Sequence, residues 1–271
     1  MAPITVSGST HEPLFAGTAE GYDELFGRVT RLFIPALLRA AEIGAGYRVL
    51  DVATGTGAAA EAAAALVGST GSVMAGDISP HMLEIARQNL TGTGVELHCI
   101  DGQEMPFADN EFDAVICQLG LMFFDDQVRA LSEFRRVLRP GCRSAVCVTT
   151  TPERSLFGRI GPVIGRHVPS KAAALNRFFS VPNSARLFAL FAAAEFHDIR
   201  VQHESRVICF KSFDDYFAGI EKGAGLGGQE YVKLPEELRQ IVREEVRCSL
   251  PIDEPLEINM EVLVASGRKI A

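Results

Sequence analysis

Residues 49–57 read Val-Leu-Asp-Val-Ala-Thr-Gly-Thr-Gly, and this stretch decides the fold of the 271-residue chain. An apolar strand runs into a glycine turn, and the alanine-rich segment that follows predicts a helix. Glycines at such a turn let the backbone approach a ligand closely. Asp77 follows Gly57 by 20 positions (77 − 57), where a carboxylate can accept hydrogen bonds from both ribose hydroxyls. The pattern therefore indicates a site for a nucleoside cofactor.

Strands and helices alternate around this turn. The hydrophobic pattern predicts strands at 47–53, 72–76, 95–100, 112–118 and 143–149, with helices at 58–67, 80–90 and 127–138 between them. An earlier helical pattern covers 22–41. Units of this size predict a parallel sheet with helices on both faces and right-handed crossovers. Ligands bind such sheets outside the carboxyl ends of the strands.

The pattern loosens after residue 151. Prolines and glycines interrupt 152–182, where short helical pieces fit between them. Helices are predicted at 183–194, 213–220 and 235–246, strands at 199–210 and 256–266, and a flexible glycine segment at 223–228. We therefore divide the chain into an N-terminal helical segment (1–45), a Rossmann-like core (46–150), and cap insertions with the C-terminal strands that complete the sheet (151–271).

Composition narrows the function. The chain is 47% hydrophobic and carries a net charge of −8, with no cluster of Lys and Arg that would form a nucleic-acid-binding face. Its six cysteines form no CxxC pair, so we predict no metal site and a reducing compartment. Four of them (Cys99, Cys117, Cys147, Cys209) lie in apolar, strand-like runs, where a free cysteine behaves as a small hydrophobic residue, and Cys117 is expected to be buried. No signal peptide or membrane span is evident, so we expect a cytoplasmic protein that acts on a small molecule.

The glycine turn also fits the G-x-G-x-x-A pattern of nicotinamide dinucleotide folds, as Gly55, Gly57 and Ala60. Asp51 inside the strand, the N-terminal helical pattern and the polar turn at 101–107 disfavour that class, and no residue pair suited to hydride transfer follows. A NAD-dependent oxidoreductase stays open as the weaker alternative.

Five segments carry a family resemblance: 49–57, 76–82, 101–107, 112–120 and 138–141. They resemble the motifs of class I S-adenosylmethionine-dependent methyltransferases, and most of all the quinone-biosynthesis C-methyltransferases and their small-molecule relatives. The resemblance is close over residues 20–150. It implies an α/β fold with a Rossmann-like sheet of seven strands, the last antiparallel, and a small, mostly helical cap. It also implies S-adenosylmethionine as methyl donor and S-adenosylhomocysteine as product. Cys142 departs from the family, whose members usually have glycine there.

The resemblance implies roles for individual residues. Backbone at Ala53 and Gly55 would contact the ammonium of the cofactor, and Asp51 would order the loop. Asp77 would bind the ribose and Asp101 the adenine amino group, while Ile78 and Met82 would pack on the adenine faces. The complete set of cofactor-binding residues so implied is Tyr22, Asp51, Ala53, Thr54, Gly55, Gly57, Asp77, Ile78, Met82, Asp101, Gly102, Gln103, Gln118 and Leu119.

The sequence indicates less about the methyl acceptor than about the cofactor. Leu121, Phe123 and Phe124 follow the fourth strand and should face it, and segments 152–182 and 211–230 should form the cap. The phenylalanines of these cap segments predict a largely apolar acceptor of aromatic or polyketide type, whereas the cationic side chains of Arg159, Arg166 and Lys171 would suit an acidic group instead.

No catalytic residue is assigned from the sequence. His167, His203 and Asp125 are candidates for a general base, which is needed only if the acceptor must lose a proton. The alternative interpretation places His167 in a loop, His203 on a strand edge and Asp125 at the N-cap of a helix. Methyl transfer to O, N or C of a small apolar or aromatic metabolite is the leading hypothesis. A non-methylating relative that acts as a lyase or cyclase is the alternative, and a homodimer is compatible with either.

Overall fold

The computed structural model describes residues 27–156, 158–223, 225–251 and 255–270. The strands of these described residues are β1 Arg48–Val52, β2 Ser72–Asp77, β3 Glu96–Cys99, β4 Phe112–Gln118, β5 Leu138–Thr149, β6 His197–Phe210 and β7 Leu256–Arg268. Within the described residues, these seven strands form one sheet in the order β3-β2-β1-β4-β5-β7-β6. Strands β1 to β5 are mutually parallel, whereas β7 runs antiparallel to both β5 and β6. The predicted sheet of seven strands with an antiparallel last strand is confirmed.

Helices cover the sheet and form the cap. After a short helical turn at Arg28–Thr30, they are α1 Ile34–Ala40, α2 Ala58–Val67, α3 Pro80–Asn89, α4 Gln127–Val137, α5 Ile160–His167, α6 Pro169–Asn176, α7 Ser184–Ala193, α8 Phe213–Glu221, α9 Gly225–Val232 and α10 Glu236–Cys248. No helix in the described ranges is long and apolar enough to cross a membrane.

The order of the strands indicates where the sheet binds a ligand. From β1 the chain runs outward to β2 and β3 on one side of the sheet, and it then returns to form β4 and β5 on the other side of β1. The carboxyl ends of β1 and β4 therefore border the crevice where the direction of winding changes, and this is where open parallel sheets bind ligands. The central strands are buried on both faces, with Val49, Leu50, Val115 and Ile116 completely inaccessible. Such continuous apolar burial is the main stabilising term.

Capping side chains set the helix starts beside the crevice. Ser79 caps α3, since its Oγ accepts a hydrogen bond from the Met82 N–H at 3.3 Å, and Pro80 occupies the first helical position. Asp126 caps α4 by accepting from the Arg129 N–H at 2.9 Å. The sequence interpretation gave that cap to Asp125 and was wrong by one residue.

Two sequence predictions about glycine-containing segments fail. The segment predicted to be flexible contains the start of helix α9. A Cβ on Gly228 would lie 2.8 Å from the Gly223 backbone and 3.0 Å from the Ile220 carbonyl oxygen, so glycine there allows α9 to pack closely on α8. The strand predicted to begin at residue 143 begins instead at Leu138, so the glycine-containing segment 138–141 lies within β5. Leu138 already pairs with Phe112, and a register shift follows before Ala114 pairs with Arg143.

The four cysteines in apolar runs differ in burial, and the predicted burial of Cys117 is confirmed. Cys117 and Cys147 lie buried in the central strands β4 and β5. Cys99 and Cys209 are exposed, because they lie on β3 and β6, the two edge strands of the sheet. An apolar run in the sequence does not distinguish a central strand from an edge strand.

A cluster of charges lies at the end of the sheet opposite the crevice. The Arg143 side chain is completely buried, and its Nε lies 2.9 Å from Glu42 Oε1 while its Nη2 contacts Asp198. Glu42 also pairs with Arg268 at 2.9 Å and with Arg200 at 3.3 Å. We call these five residues the basal ion cluster. It joins the segment after α1 to β5, β6 and β7.

Candidate cofactor and acceptor site

The chain leaves β1 and β4 through left-handed backbone. Ala53 follows β1 with φ 56°, and Leu119 follows β4 with φ 53°. Non-glycine residues pay of order 1 kcal/mol for this conformation, which clusters at functional sites. Hydrogen bonds hold both turns: the Thr54 N–H donates to the Gly76 carbonyl at 3.0 Å, and the Leu119 N–H donates to the Cys147 carbonyl at 2.9 Å.

The two glycines of the turn have different tasks. Gly55 (φ 57°) borders open space, since an added Cβ would meet no atom within 4 Å. Gly57 (φ 91°) is the residue before α2, and an added Cβ would lie 2.7 Å from a Leu90 side-chain carbon. Gly55 therefore leaves room for a ligand beside the loop, whereas Gly57 lets α2 begin against the end of α3.

The buried Asp51 of β1 stabilises the glycine turn. Its Oδ2 accepts a hydrogen bond from the Thr54 hydroxyl at 2.6 Å. Burial raises the pKa of this completely buried carboxyl to about 7, against the effect of the Thr54 bond, and the nearby charge of Asp77 raises it further. The expected role of Asp51 in ordering the loop agrees with this contact.

Two buried acceptor atoms remain unpaired beneath the crevice. Within the described part of the chain, Asp51 Oδ1 and Gln118 Oε1 have no hydrogen-bond partner. The Gln118 amide nitrogen, in contrast, donates to the Thr30 carbonyl at 3.2 Å. Asp51 and Gln118 lie on the neighbouring strands β1 and β4. Unpaired buried acceptors are costly unless a donor reaches them, so this pair fits a ligand that carries an ammonium group.

Asp77 ends β2 and links the two loops of the crevice. Its Oδ2 accepts from the Gly55 N–H at 2.9 Å and its Oδ1 accepts from the Ser79 N–H at 2.9 Å. Burial raises its pKa, although both backbone bonds act in the opposite direction. A carboxylate oxygen has more than one lone pair, so both atoms retain capacity for ribose hydroxyls.

The two apolar residues expected at the adenine differ in exposure. Ile78 is 57% exposed although it directly follows the buried Asp77, whereas Met82 is only 4% exposed in α3. An exposed isoleucine at the rim of the crevice offers apolar surface that a flat ring would cover. Met82 mainly packs in the interior, and its contact with the cofactor stays a prediction.

The segment after β3 is held by Gln103. The Asp101 carboxylate accepts from the Gln103 N–H at 2.8 Å, and the Gln103 side-chain oxygen accepts from the Asp126 N–H at 2.8 Å. The Arg129 side chain also donates to the Gln103 carbonyl at 2.9 Å. Gln103 therefore connects the Asp101 turn to the start of α4, and this link positions the carboxylate expected to bind the adenine amino group.

The three residues expected to face the acceptor occupy different environments. Leu121 is completely buried in the core. The Phe124 ring packs against Gly102, where an added Cβ would lie 2.7 Å from it, and edge-on to Phe134 at 6.3 Å. The Phe123 ring lies 5.8 Å from the Phe178 ring in the second half of the chain. Phe123 therefore contacts the predicted cap.

Two side chains attach the cap to the loop after β4, and sequence reasoning missed both. We call residues 119–126 the acceptor loop and residues 177–180 the cap turn. Arg177 donates to the Phe123 carbonyl and, at 2.8 Å, to Asp125. Ser180 donates to the Met122 carbonyl at 3.0 Å. These partners lie more than fifty positions apart in the sequence, so no local pattern reveals them.

Each candidate for a general base already has a partner. His167 ends helix α5 and does not lie in a loop, and its Nε2 is 2.6 Å from Glu245. Asp125 pairs with Arg177. His203 lies on the edge strand β6 with its Nε2 2.9 Å from the Ser184 hydroxyl. Tyr22 lies outside the described residues, so its contact with the cofactor stays a prediction.

Comparison with known proteins identifies the family of the chain. A family model described as a methyltransferase domain matches residues 50–146. The ubiquinone/menaquinone biosynthesis C-methyltransferase UbiE of Cellvibrio japonicus is 34% identical over 189 residues, which cover 64% of this chain and 76% of that protein. The demethylmenaquinone methyltransferase of Clavibacter sepedonicus is 35% identical over 182 residues, covering 62% of this chain and 73% of that protein. Alignments with some other UbiE proteins cover 55% or 56% of their length.

The fold has solved counterparts. The YcgJ protein of Bacillus subtilis superposes with a TM-score of 0.60 at 18% identity, covering 88% of this chain and 98% of that one. The glycine turn, the buried acidic residues and the sequence relatives agree, and the chain belongs to the class I S-adenosylmethionine-dependent methyltransferases. Its cofactor is S-adenosylmethionine, and its activity is methyl transfer to a small molecule. This assignment replaces the nicotinamide-dependent alternative.

Proposed function

We propose that the protein methylates a small apolar or aromatic metabolite, and that a carbon of an electron-rich ring, such as a phenol or quinol, is the accepting atom. The aromatic contact between Phe123 of the acceptor loop and Phe178 of the cap turn carries this proposal. Phe178 also meets Phe179 edge-on at 5.2 Å. Aromatic side chains recognise flat apolar ligands through stacked and edge-to-face contacts.

The cations of the cap support the same choice. Arg166 pairs with Glu245 at 2.5 Å and Lys171 pairs with Glu230 at 3.0 Å. Arg159 donates to the Ser249 carbonyl at 2.7 Å. All three side chains proposed for an acidic acceptor therefore serve contacts within the cap. An apolar acceptor needs no counter-charge and is compatible with this arrangement.

The relatives favour carbon as the accepting atom. UbiE of Cellvibrio japonicus is named as a C-methyltransferase of quinone biosynthesis, and the Clavibacter sepedonicus relative as a demethylmenaquinone methyltransferase. Both names describe methylation of a quinone-type ring. Phenol and quinol rings are nucleophilic at carbon once the hydroxyl proton is shared or lost, so the same pocket chemistry suits this chain.

In the proposed reaction, the main role of the protein is to position the cofactor and the acceptor. The bound cofactor supplies a methyl group on a sulfonium, which is already electrophilic. We propose that the backbone around Ala53 and Gly55 receives its ammonium, Asp77 its ribose and Asp101 its adenine. The acceptor loop and the cap turn then hold the ring near the methyl group and exclude water. Most of the rate acceleration of methyl transfer arises from this positioning and exclusion.

A labelling experiment tests this function. The protein is incubated with methyl-labelled S-adenosylmethionine and a panel of phenols, quinols, amines and carboxylic acids, and the position of the label is read by NMR. We expect label on ring carbon of phenols or quinols. The Phe123→Leu variant should lose acceptor affinity and keep cofactor affinity, whereas Phe188→Leu, on the exposed face of α7, should change neither. Label found only on amines or acids would overturn the proposal.

A further inference from the structure

Three side chains outside the methyl-transfer site form a chain of contacts. The Ser184 hydroxyl lies 2.9 Å from His203 Nε2, and His203 Nδ1 lies 3.5 Å from Glu261 Oε1. A nucleophile within hydrogen-bond reach of a base that a third group orients is the arrangement of nucleophilic hydrolases. The three residues come from α7, β6 and β7, so the fold and not a local motif brings them together.

Ser184 is not needed to cap its helix. The neighbouring Asn183 caps α7, since its side-chain oxygen accepts from the Arg186 N–H at 2.9 Å. Ser184 is the first helical residue. The first N–H groups of a helix have no partner within it, so those of Ser184 and Ala185 can stabilise negative charge on an oxygen beside the Ser184 hydroxyl.

Glu261 is the carboxylate that faces His203 Nδ1, at the 3.5 Å given above. It is only 14% exposed, and Arg154 Nη1 holds both of its oxygens at 3.1 Å. A carboxylate beside Nδ1 favours the proton on that nitrogen, which leaves the Nε2 lone pair toward the serine. The His203 side chain is 52% exposed, so solvent and a small substrate reach it.

This cluster is separate from the methyl-transfer site. His203 lies on β6, three strands beyond β4 in the sheet order. With strands about 4.8 Å apart, this corresponds to about 14 Å across the sheet. None of the three side chains touches the glycine turn, the acceptor loop or Asp77 in the described contacts.

We propose that Ser184, His203 and Glu261 form a second, esterolytic site for small esters with a short apolar acyl group. The Ser184 oxygen bonds to the acyl carbon while its proton passes to His203 Nε2. The ester C–O bond then breaks, and the leaving alcohol takes that proton. Water, deprotonated by His203, releases the acid and regenerates the serine. Phe188 is 49% exposed one helical turn after Ser184 and offers apolar surface to the acyl chain.

Two measurements test the site in the full-length protein. The first is labelling with a fluorophosphonate probe, followed by identification of the modified peptide. The second is hydrolysis of p-nitrophenyl butyrate. Ser184→Ala should abolish labelling and the Ser184-dependent hydrolysis, and His203→Asn should lower both about 100-fold. Glu261→Gln should lower kcat for hydrolysis with little change in KM, because it removes the carboxylate that faces His203 Nδ1 and leaves the substrate-binding surface intact.

Ser205→Ala is the matched control. Ser205 lies two residues from His203 on the same strand, and its hydroxyl donates to Asn259 at 2.6 Å. The Ser205→Ala variant should react with the probe and hydrolyse the ester as the unmodified protein does. Methyl transfer should be unchanged in Ser184→Ala, which shows that this variant folds and separates the two sites. Probe on another residue, or equal hydrolysis by Ser184→Ala and the unmodified protein, would overturn the proposal.

Discussion

The Asp77 carboxylate accepts a hydrogen bond from the backbone N–H of Gly55 at 2.9 Å, although the two residues lie on different loops. This bond ties the loop after β1 to the end of β2. The residue expected to bind the ribose therefore also fixes the loop expected to receive the methionine end of the cofactor. A change at Asp77 should affect both functions.

Replacing Asp77 by Ala should weaken cofactor binding at least 10-fold. The loss includes hydrogen bonds to a charged group, each worth about 1.5–3 kcal/mol, and the support of the Gly55 loop. Calorimetric titration with S-adenosylmethionine measures the affinity. Asp109→Asn is a suitable control, because this exposed acid pairs with Arg136 away from the crevice. An unchanged affinity in Asp77→Ala would contradict the ribose role.

Alanine at Gly55 and at Gly57 should have separable effects. Gly57→Ala combines a left-handed backbone with a Cβ 2.7 Å from Leu90, so we expect a loss of about 2–4 kcal/mol in unfolding free energy. Gly55→Ala meets no protein atom and should cost about 1 kcal/mol, but its methyl group enters the space left for the cofactor. Urea unfolding and cofactor titration of both variants test this. Equal losses of stability would show that Gly55 is also a packing glycine.

Asp51 should make stability depend on pH. Its pKa in the folded protein is about 7, above the ordinary value of 3.8, so the folded state holds the extra proton between these two values. The contribution is fully present below about pH 4 and is lost as the pH rises through about 7. Asp51→Asn should remove this part of the pH dependence, as followed by urea unfolding from pH 5 to 8. A slope identical to that of the unmodified protein would contradict the assignment.

Arg177 should control acceptor binding through the cap turn. Arg177→Gln removes the ion pair with Asp125 and weakens the contact with the Phe123 carbonyl. We expect a higher KM for the acceptor, by about 10-fold, with little change in cofactor affinity. Arg186→Gln, on an exposed part of α7, is the control. A parallel loss of cofactor affinity would show that Arg177 acts on the whole crevice.

Glu42 should stabilise the protein at neutral pH and less in acid. Burial alone would raise its pKa, but the hydrogen bond from Arg268 and the charges of Arg143, Arg268 and Arg200 lower it below 4.5. Its contribution is therefore present above about pH 4.5 and is lost as the pH falls through the lowered value. Glu42→Gln should cost about 1 kcal/mol at pH 7 and less at pH 3, measured by chemical unfolding. An equal loss at both pH values would indicate packing instead.

Much of the core follows from local patterns. Alternating apolar runs and helix signals predict β1, α2, β2, α3 and β4 within a few residues, because each element buries one continuous apolar surface. The roles of Gly55, Gly57 and Asp77 are suggested for the same reason, since a strand, a glycine turn and a later carboxylate are a local arrangement. The cap was harder to predict from the sequence, because its helices are short and its glycines act through packing, as Gly228 does against Gly223.

The sequence by itself determined the class of fold and the residues of the glycine turn, since those depend on hydrophobic period and on the conformational freedom of glycine. Its resemblance to a known family indicated the cofactor. The tertiary structure decided which residues meet across the chain. It placed Arg177 and Ser180 on the acceptor loop, exposed Cys99 and Cys209 on edge strands, and brought Ser184 to His203. Such contacts depend on sheet order and helix packing, which join residues whose separation in the sequence carries no periodic signal.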